Sequence, residues 1–198
     1  MILYHGSSQN IDKTLKTHRA FNLYGYDKVV YCTDIKEIAL AYAISPIDCY
    51  IKNKFGVDKH YKAISAHIRY SNGVLELIEL YPNMFETSYH NSCYIYVCDE
   101  DDFEQCENEF KIHHDVEFID KIFIKDVYEE IKNLVNIGKI KLYKYEDLDY
   151  FKTTQQFNHV ESGLEGRASY CSSKEEMDFF EMVSNYFPSV KRCIKLTD

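Results

Sequence analysis

Three short stretches of this chain carry side chains that could act together on a sugar: His5-Gly6-Ser7 near the start, Tyr31 and Tyr42 with Asp34 between them, and Asn108-Glu109-Phe110 in the middle. Glycine lets a backbone approach a ligand closely. Tyrosine rings give flat apolar contact without competing polar groups. A carboxylate beside a sugar offsets the positive charge that develops when the bond at its anomeric carbon breaks, as in glycosidases. An apolar neighbour such as Phe110 is of the kind that raises a carboxyl pKa by desolvation. Each residue also has a plainer reading. His5 then bonds a neighbouring strand, Gly6 turns the chain, Tyr31 and Tyr42 are core residues, and Glu109 is one acid among several, Glu107 being two positions away. Tyrosine supplies 18 of 198 residues, so the tyrosine pair counts only together with the other two stretches.

The twelve residues Tyr31-Cys32-Thr33-Asp34-Ile35-Lys36-Glu37-Ile38-Ala39-Leu40-Ala41-Tyr42 resemble, without a gap, the strand-to-helix segment of the histidine-tyrosine-glutamate ADP-ribosyltransferases. That family includes the poly(ADP-ribose) polymerases and diphtheria toxin. Its strand tyrosine is followed three residues later by aspartate and eleven residues later by a second tyrosine, which Tyr31, Asp34 and Tyr42 match. His5-Gly6-Ser7 resembles the His-Gly-Ser of the family's first strand, and Asn108-Glu109-Phe110 resembles the glutamate that opens a late strand, in the same chain order.

The resemblance implies an α+β fold with a split, mainly antiparallel β-sheet core, and NAD as substrate. In it, His5 holds the adenosine ribose, the Gly6 backbone holds the nicotinamide carboxamide, and Ser7 supports that carboxamide or the turn. Tyr31 and Tyr42 sandwich the nicotinamide. Glu109 bonds the 2′-hydroxyl of the nicotinamide ribose, stabilises the sugar cation and polarises an incoming nucleophile. His5, Tyr31 and Glu109 are then the catalytic set, His5, Gly6, Ser7, Tyr31 and Tyr42 bind NAD, and no metal is required. One departure stands out: eight residues after the first tyrosine, where the polymerases carry a serine that bonds the carboxamide, this chain has Ala39. The nicotinamide is then held more weakly or differently. The acceptor of ADP-ribose is a protein, a nucleic acid or a small molecule. Two other readings keep the fold. One is an NAD-dependent RNA 2′-phosphotransferase-like enzyme, which needs additional arginines and histidines around the phosphate. The other is a non-catalytic nucleotide- or protein-binding module, since a fold does not fix an activity.

These residues must be positioned by a few elements. Ile2-Leu3-Tyr4 reads as a strand ending at His5-Gly6, residues 9–28 as irregular with turn signals at Gly25 and Asp27, and Val29–Cys32 as a β-branched and aromatic strand. Asp34 with Glu37 predicts a capping box for a helix presenting Ile35, Ile38, Ala39 and Tyr42, which Pro46 stops. Apolar runs at Ala63–Tyr70 and Val74–Leu80 around Ser71-Asn72-Gly73 predict a hairpin, and Cys93–Cys98 a further strand before the acidic Asp99–Asp102. Glu109–Ile124 reads as two short strands or one bent one, and Asp126 with Glu129 caps a helix that leaves at Gly138. Beyond it, Lys139–Tyr145 alternates like a strand, and Ser173 with Glu176 caps a helix over Lys174–Phe187 that Pro188 stops. Gly163–Arg167 reads as a loop, with Arg167 available to a substrate phosphate. His113-His114-Asp115 offers metal-ligand types, but strand neighbours face opposite ways, so it reads as a solvated turn.

The length suits one main domain, an ADP-ribosyltransferase-like core over 1–138 with an extension over 139–198 packed on it. No apolar run approaches the roughly 20 residues that span a bilayer. The start of the chain has no basic-then-apolar leader, and seven cysteines at irregular spacing form no metal-type pair, so a reducing, cytoplasmic setting is expected. A net charge of −9 disfavours indiscriminate nucleic-acid binding.

Overall fold

The computed structural model describes every residue except 23, 24, 59–66, 100, 107, 108, 148–154 and 198. The fold is α+β, and its contacts group into two compact units, one of residues 1–44 and 91–130, the other of 45–90 and 131–198.

In the first unit, β1 (Leu3–Ser7), β7 (Cys93–Cys98) and β11 (Asp120–Ile124) form an antiparallel sheet in the order β1-β7-β11. A second antiparallel sheet has the order β3 (His18–Asn22), β4 (Gly25–Cys32), β9 (Glu109–Ile112), β8 (Glu104–Cys106). A two-residue ribbon pairs β2 (Thr14–Leu15) with β10 (Val116–Glu117). One apolar cluster joins them: Leu3, Leu15, Val30, Cys32, Tyr96, Cys98, Phe110, Ile112 and Val116. The alternation of Val30 with Cys32, and of Phe110 with Ile112, is the period of two that turns one strand face inward. The described part of the stretch 9–28 is therefore not irregular. It holds two strands and the first half of β4, with Gly25 opening β4 and Asp27 inside it. A strand rich in polar residues lacks the apolar alternation that betrays a strand in sequence.

Helix α1 (Lys36–Tyr42) follows β4, and its start differs from the capping box expected of Asp34 and Glu37. Ile35 is the N-cap and makes no side-chain cap bond, while the Thr33 hydroxyl accepts from the Ile35 amide at 3.1 Å. The Thr33 bond is a local turn at the strand end and not a helix cap, and Asp34 stays exposed.

The second unit opens with a helix absent from the sequence reading. Pro46 does not merely end α1; it is the first residue of α2 (Pro46–Phe55), with the Ser45 hydroxyl accepting from the Asp48 amide and Gly56 in the left-handed conformation at the exit. Proline suits a first turn because its missing N–H has no partner there anyway. Beyond it lie β5 (His67–Ser71), β6 (Val74–Ile78) and α3 (Met84–Ser88). The β5–β6 hairpin turns at Asn72 and Gly73, both at positive φ, as a two-residue turn of the I′ kind demands; residues 63–66 of the expected run lie outside the described residues. Helix α4 (Val127–Asn136) is capped as expected, the Asp126 carboxylate accepting from the Glu129 amide at 3.1 Å, and leaves at Gly138 with positive φ. Strand β12 (Ile140–Tyr143) then runs parallel to β6.

The expected loop at Gly163–Arg167 is instead the interior of α5 (Gln155–Ala168). Two glycines cost helix stability, but Phe157, Leu164 and Ala168 are buried, and Phe157 stacks on Phe187 at 5.3 Å, so packing outweighs propensity. Within that helix Arg167 is paired with a carboxylate. Its Nη2 lies 3.4 Å from Oε1 of Glu176, which is 2% exposed. The Ser173 hydroxyl caps α6 (Lys174–Val183) as expected, while the Glu176 carboxylate turns back to the Ser172 amide and hydroxyl. That helix ends at Val183, not Phe187, and Pro188 begins a 3-10 helix over Pro188–Cys193. Neither Gly163 nor Gly166 has an atom near the position a Cβ would take. Replacing Gly163 by alanine should therefore stabilise the fold by about 0.5–1 kcal/mol, read as a higher urea midpoint at unchanged slope.

Among the described residues, no helix is long and apolar enough to cross a membrane.

Candidate functional site

His5, Gly6, Ser7, Tyr31, Tyr42 and Glu109 all lie in the first unit. The geometry centres on one edge of β4. At its end, Thr33 and Tyr4 exchange two backbone hydrogen bonds of 2.7 and 2.9 Å, which joins β1 to β4 by a single bridge. Further back along the same strand, β3 begins its ladder at the pair His18–Val29. Between these two ladders lies Tyr31. Its carbonyl oxygen is taken by the His5 ring, with Nδ1 at 2.8 Å.

That bond fixes the chemistry of His5. A carbonyl oxygen can only accept, so Nδ1 carries the hydrogen, and a neutral ring then presents Nε2 as a bare acceptor. Desolvation is the main cause holding the imidazole below its ordinary pKa of 6.5; the Tyr31 carbonyl opposes it, and His18 adds a small push in the same downward direction. His5 is thus a neutral acceptor near pH 7, suited to a sugar hydroxyl.

Gly6 has a structural necessity of its own. A Cβ built there would stand 1.8 Å from the Ala39 carbonyl oxygen and 3.0 Å from the Ala43 Cβ. Strand β1 therefore packs directly on the backbone of α1, which no other residue type at position 6 permits. Ala39 itself is buried, with no hydroxyl to offer a ligand. The Ser7 hydroxyl accepts from the Gln9 amide at 3.1 Å, a bond that supports the turn. Tyr96 fastens the segment beyond, its hydroxyl donating to the Gln9 carbonyl at 2.7 Å and accepting from the Ile11 amide at 2.6 Å.

On the other edge of β4, Tyr31 pairs with Lys111 and Cys32 with Phe110. Glu109 opens β9 one residue before Phe110, level with Thr33. Because Cys32, Phe110 and Ile112 face the apolar cluster, the pleat turns Tyr31, Glu109 and Lys111 to the opposite face, where all three are half-buried. Tyr31 and Glu109 therefore share a face. By the same alternation His5 follows Leu3, with its ring centroid 6.4 Å from that of Tyr96, so it reaches Tyr31 by filling the break in the ladder and not from the Tyr31–Glu109 face. Tyr42 is half-buried at the last turn of α1. Asn108, the partner of Glu109 in the sequence pattern, lies outside the described residues, as does Glu107.

The bend at His113-His114-Asp115 sends its three side chains to different partners. His114 Nε2 lies 2.8 Å from the Asp102 carboxylate, His113 Nε2 lies 3.9 Å from Glu104, and Asp115 takes Lys16 and the Thr17 amide, both at 2.9 Å. The bond from Lys16 and then that from Thr17 hold the Asp115 carboxyl down at about 2.

Lys111 and His18 belong to the surroundings of this site and were not singled out from sequence. Their signal is the register of β4 with β9 and β3, which residue spacing along the chain does not contain.

No protein-family model, no curated protein and no solved structure matches this chain.

Proposed function

We propose that this protein is an NAD-dependent ADP-ribosyltransferase of the histidine-tyrosine-glutamate kind, its split antiparallel sheet being of that fold type. The observation that carries the reading is the bond from His5 to the Tyr31 carbonyl in the break between the β1 and β3 ladders. It joins two of the three stretches that resemble the family and leaves Nε2 of a neutral ring as the acceptor for a ribose hydroxyl. Glu109 supports the reading by lying on the adjoining strand, on the face of Tyr31.

In this reading the bond between the nicotinamide nitrogen and C1′ of the ribose breaks, and nicotinamide leaves neutral with the electron pair. Glu109 offsets the charge left on the sugar. A nucleophilic atom of the acceptor then bonds C1′, and its proton passes to Glu109 or to solvent. Gly6 offers backbone groups to the carboxamide. Tyr31 and Tyr42 supply ring contact to the nicotinamide.

Replacing Tyr31 or Tyr42 by alanine should weaken NAD binding by about 1–2 kcal/mol each, the worth of an aromatic contact with its buried area. Titration calorimetry on variants with native thermal transitions measures this. Unchanged affinity in both would remove the nicotinamide stack from the reading.

A further inference from the structure

The β8–β9 hairpin is short, and its open end is closed by side chains. Its ladder runs only from Cys106–Glu109 to Glu104–Lys111, and all three residues of β8 are exposed. Among the described residues β8 is the outermost strand of its sheet, and so short a strand buries too little to hold itself there. Carrying the register two residues outward sets Asp102 level with His113. There the His114 ring spans the gap: Nε2 lies 2.8 Å from the Asp102 carboxylate, and Nδ1 lies 2.9 Å from the Asp115 carbonyl oxygen.

A carboxylate and a carbonyl can only accept, so both ring nitrogens must donate. The ring that satisfies this geometry is the imidazolium cation. Around it, His113 Nε2 stands 3.9 Å from Glu104, Lys111 is paired with Glu104 across the ladder, and Asp115 holds Lys16 at 2.9 Å. On the acidic segment before β8, Asp99 and Asp101 lie 2.9 and 3.7 Å from the Met1 amine. Lys16 pins the Asp115 carboxyl at about 2, and the His114 bond holds that of Asp102 below its ordinary value. Both carboxylates therefore keep their charge between about pH 5 and 8, the range in which imidazole titrates.

We propose that His114 is a pH-sensitive latch, holding β8 on β9 while its ring is charged and releasing it as the ring loses its proton. The ion pair is complete above the titration of the Asp102 carboxyl and below that of the imidazole, so the hold is lost as pH rises through about 5 to 8. At the far end of the same hairpin Cys106 stands opposite Glu109. Release of β8 thus bares the outer edge of the strand that Glu109 opens. The latch needs neither NAD nor an acceptor, and its failure leaves the transferase reading in place.

Amide hydrogen exchange over residues 104–106 tests it, measured near pH 5.5 and near pH 8 and corrected for the pH dependence of exchange in unstructured chains. An exposed ion pair is modest, so protection in the parent should fall about two- to fivefold between the two conditions. His114→Gln and Asp102→Asn should each flatten that profile, with protection at both values near the parent's at the higher pH. A parent whose protection does not change, or a His114→Gln variant that keeps the parent's fall, overturns the latch. A fall lost in His113→Gln but kept in His114→Gln overturns it as well, because the proton then belongs to the other ring.

Discussion

Glu109→Gln should lower the rate of nicotinamide release about 10²–10³-fold while leaving NAD affinity nearly unchanged, the usual cost of removing one preorganised electrostatic group. The amide keeps the shape of the side chain at the start of β9 and the pairing of Phe110 with Cys32, so the strand has no reason to move. What it loses is the negative charge that offsets the sugar cation. Glu104→Gln is the matched control, since Glu104 is exposed on β8 and pairs with Lys111 in the same sheet without adjoining Tyr31. Release is measured for both with a panel of acceptors present, because a transferase without its acceptor turns over little. Equal losses in the two variants, or full activity in Glu109→Gln, would refute the assignment. An inactive parent that still binds NAD would favour a non-catalytic nucleotide-binding module.

Gly6→Ala should cost roughly 3 kcal/mol of stability, at the upper end for overpacking, because the added carbon meets backbone and not a side chain that can swing away. The clash at the Ala39 carbonyl also includes its carbon at 2.8 Å. Relief requires β1 to part from α1, and β1 carries both His5 and the bridge to Thr33. Ser7→Ala, which removes only the exposed bond to the Gln9 amide, should stay within about 0.5 kcal/mol. Urea denaturation of the two variants separates them. A Gly6→Ala midpoint equal to that of the parent would mean that β1 and α1 pack less closely than described.

Sequence reading found the parts of the fold that local chemistry dictates. The Asn72-Gly73 hairpin, the Asp126 cap, the Gly138 exit, the Ser173 cap and strand Cys93–Cys98 each depend on residues within a few positions of one another. Where it failed, a distant partner or a competing local bond had decided the outcome. Phe157 and Leu164 hold a helix through two glycines because they are buried against other elements. Asp34 is not the N-cap, because α1 starts one residue later, with Ile35 as its N-cap and no side-chain cap bond, and Thr33 at the bridge to Tyr4 turns its hydroxyl to the Ile35 amide. The start of α2 was legible in Ser45, Pro46 and Asp48, but proline read as a stop conceals that it also suits a first turn.

For the candidate site, the sequence by itself determined which residue types are present and in what order: an imidazole beside a glycine, two tyrosines on a strand-to-helix segment, and a glutamate opening a later strand. Tertiary structure alone decided what those residues do to one another. The demand for glycine at position 6 comes from the Ala39 carbonyl, 33 residues away. The neutral, acceptor state of His5 comes from burial and from the Tyr31 carbonyl, 26 residues away. The shared face of Tyr31 and Glu109, and the place of His18 beside them, come from strand register. Protonation, close approach and strand register are properties of groups brought together by folding, and the linear order of residues holds none of the distances that set them.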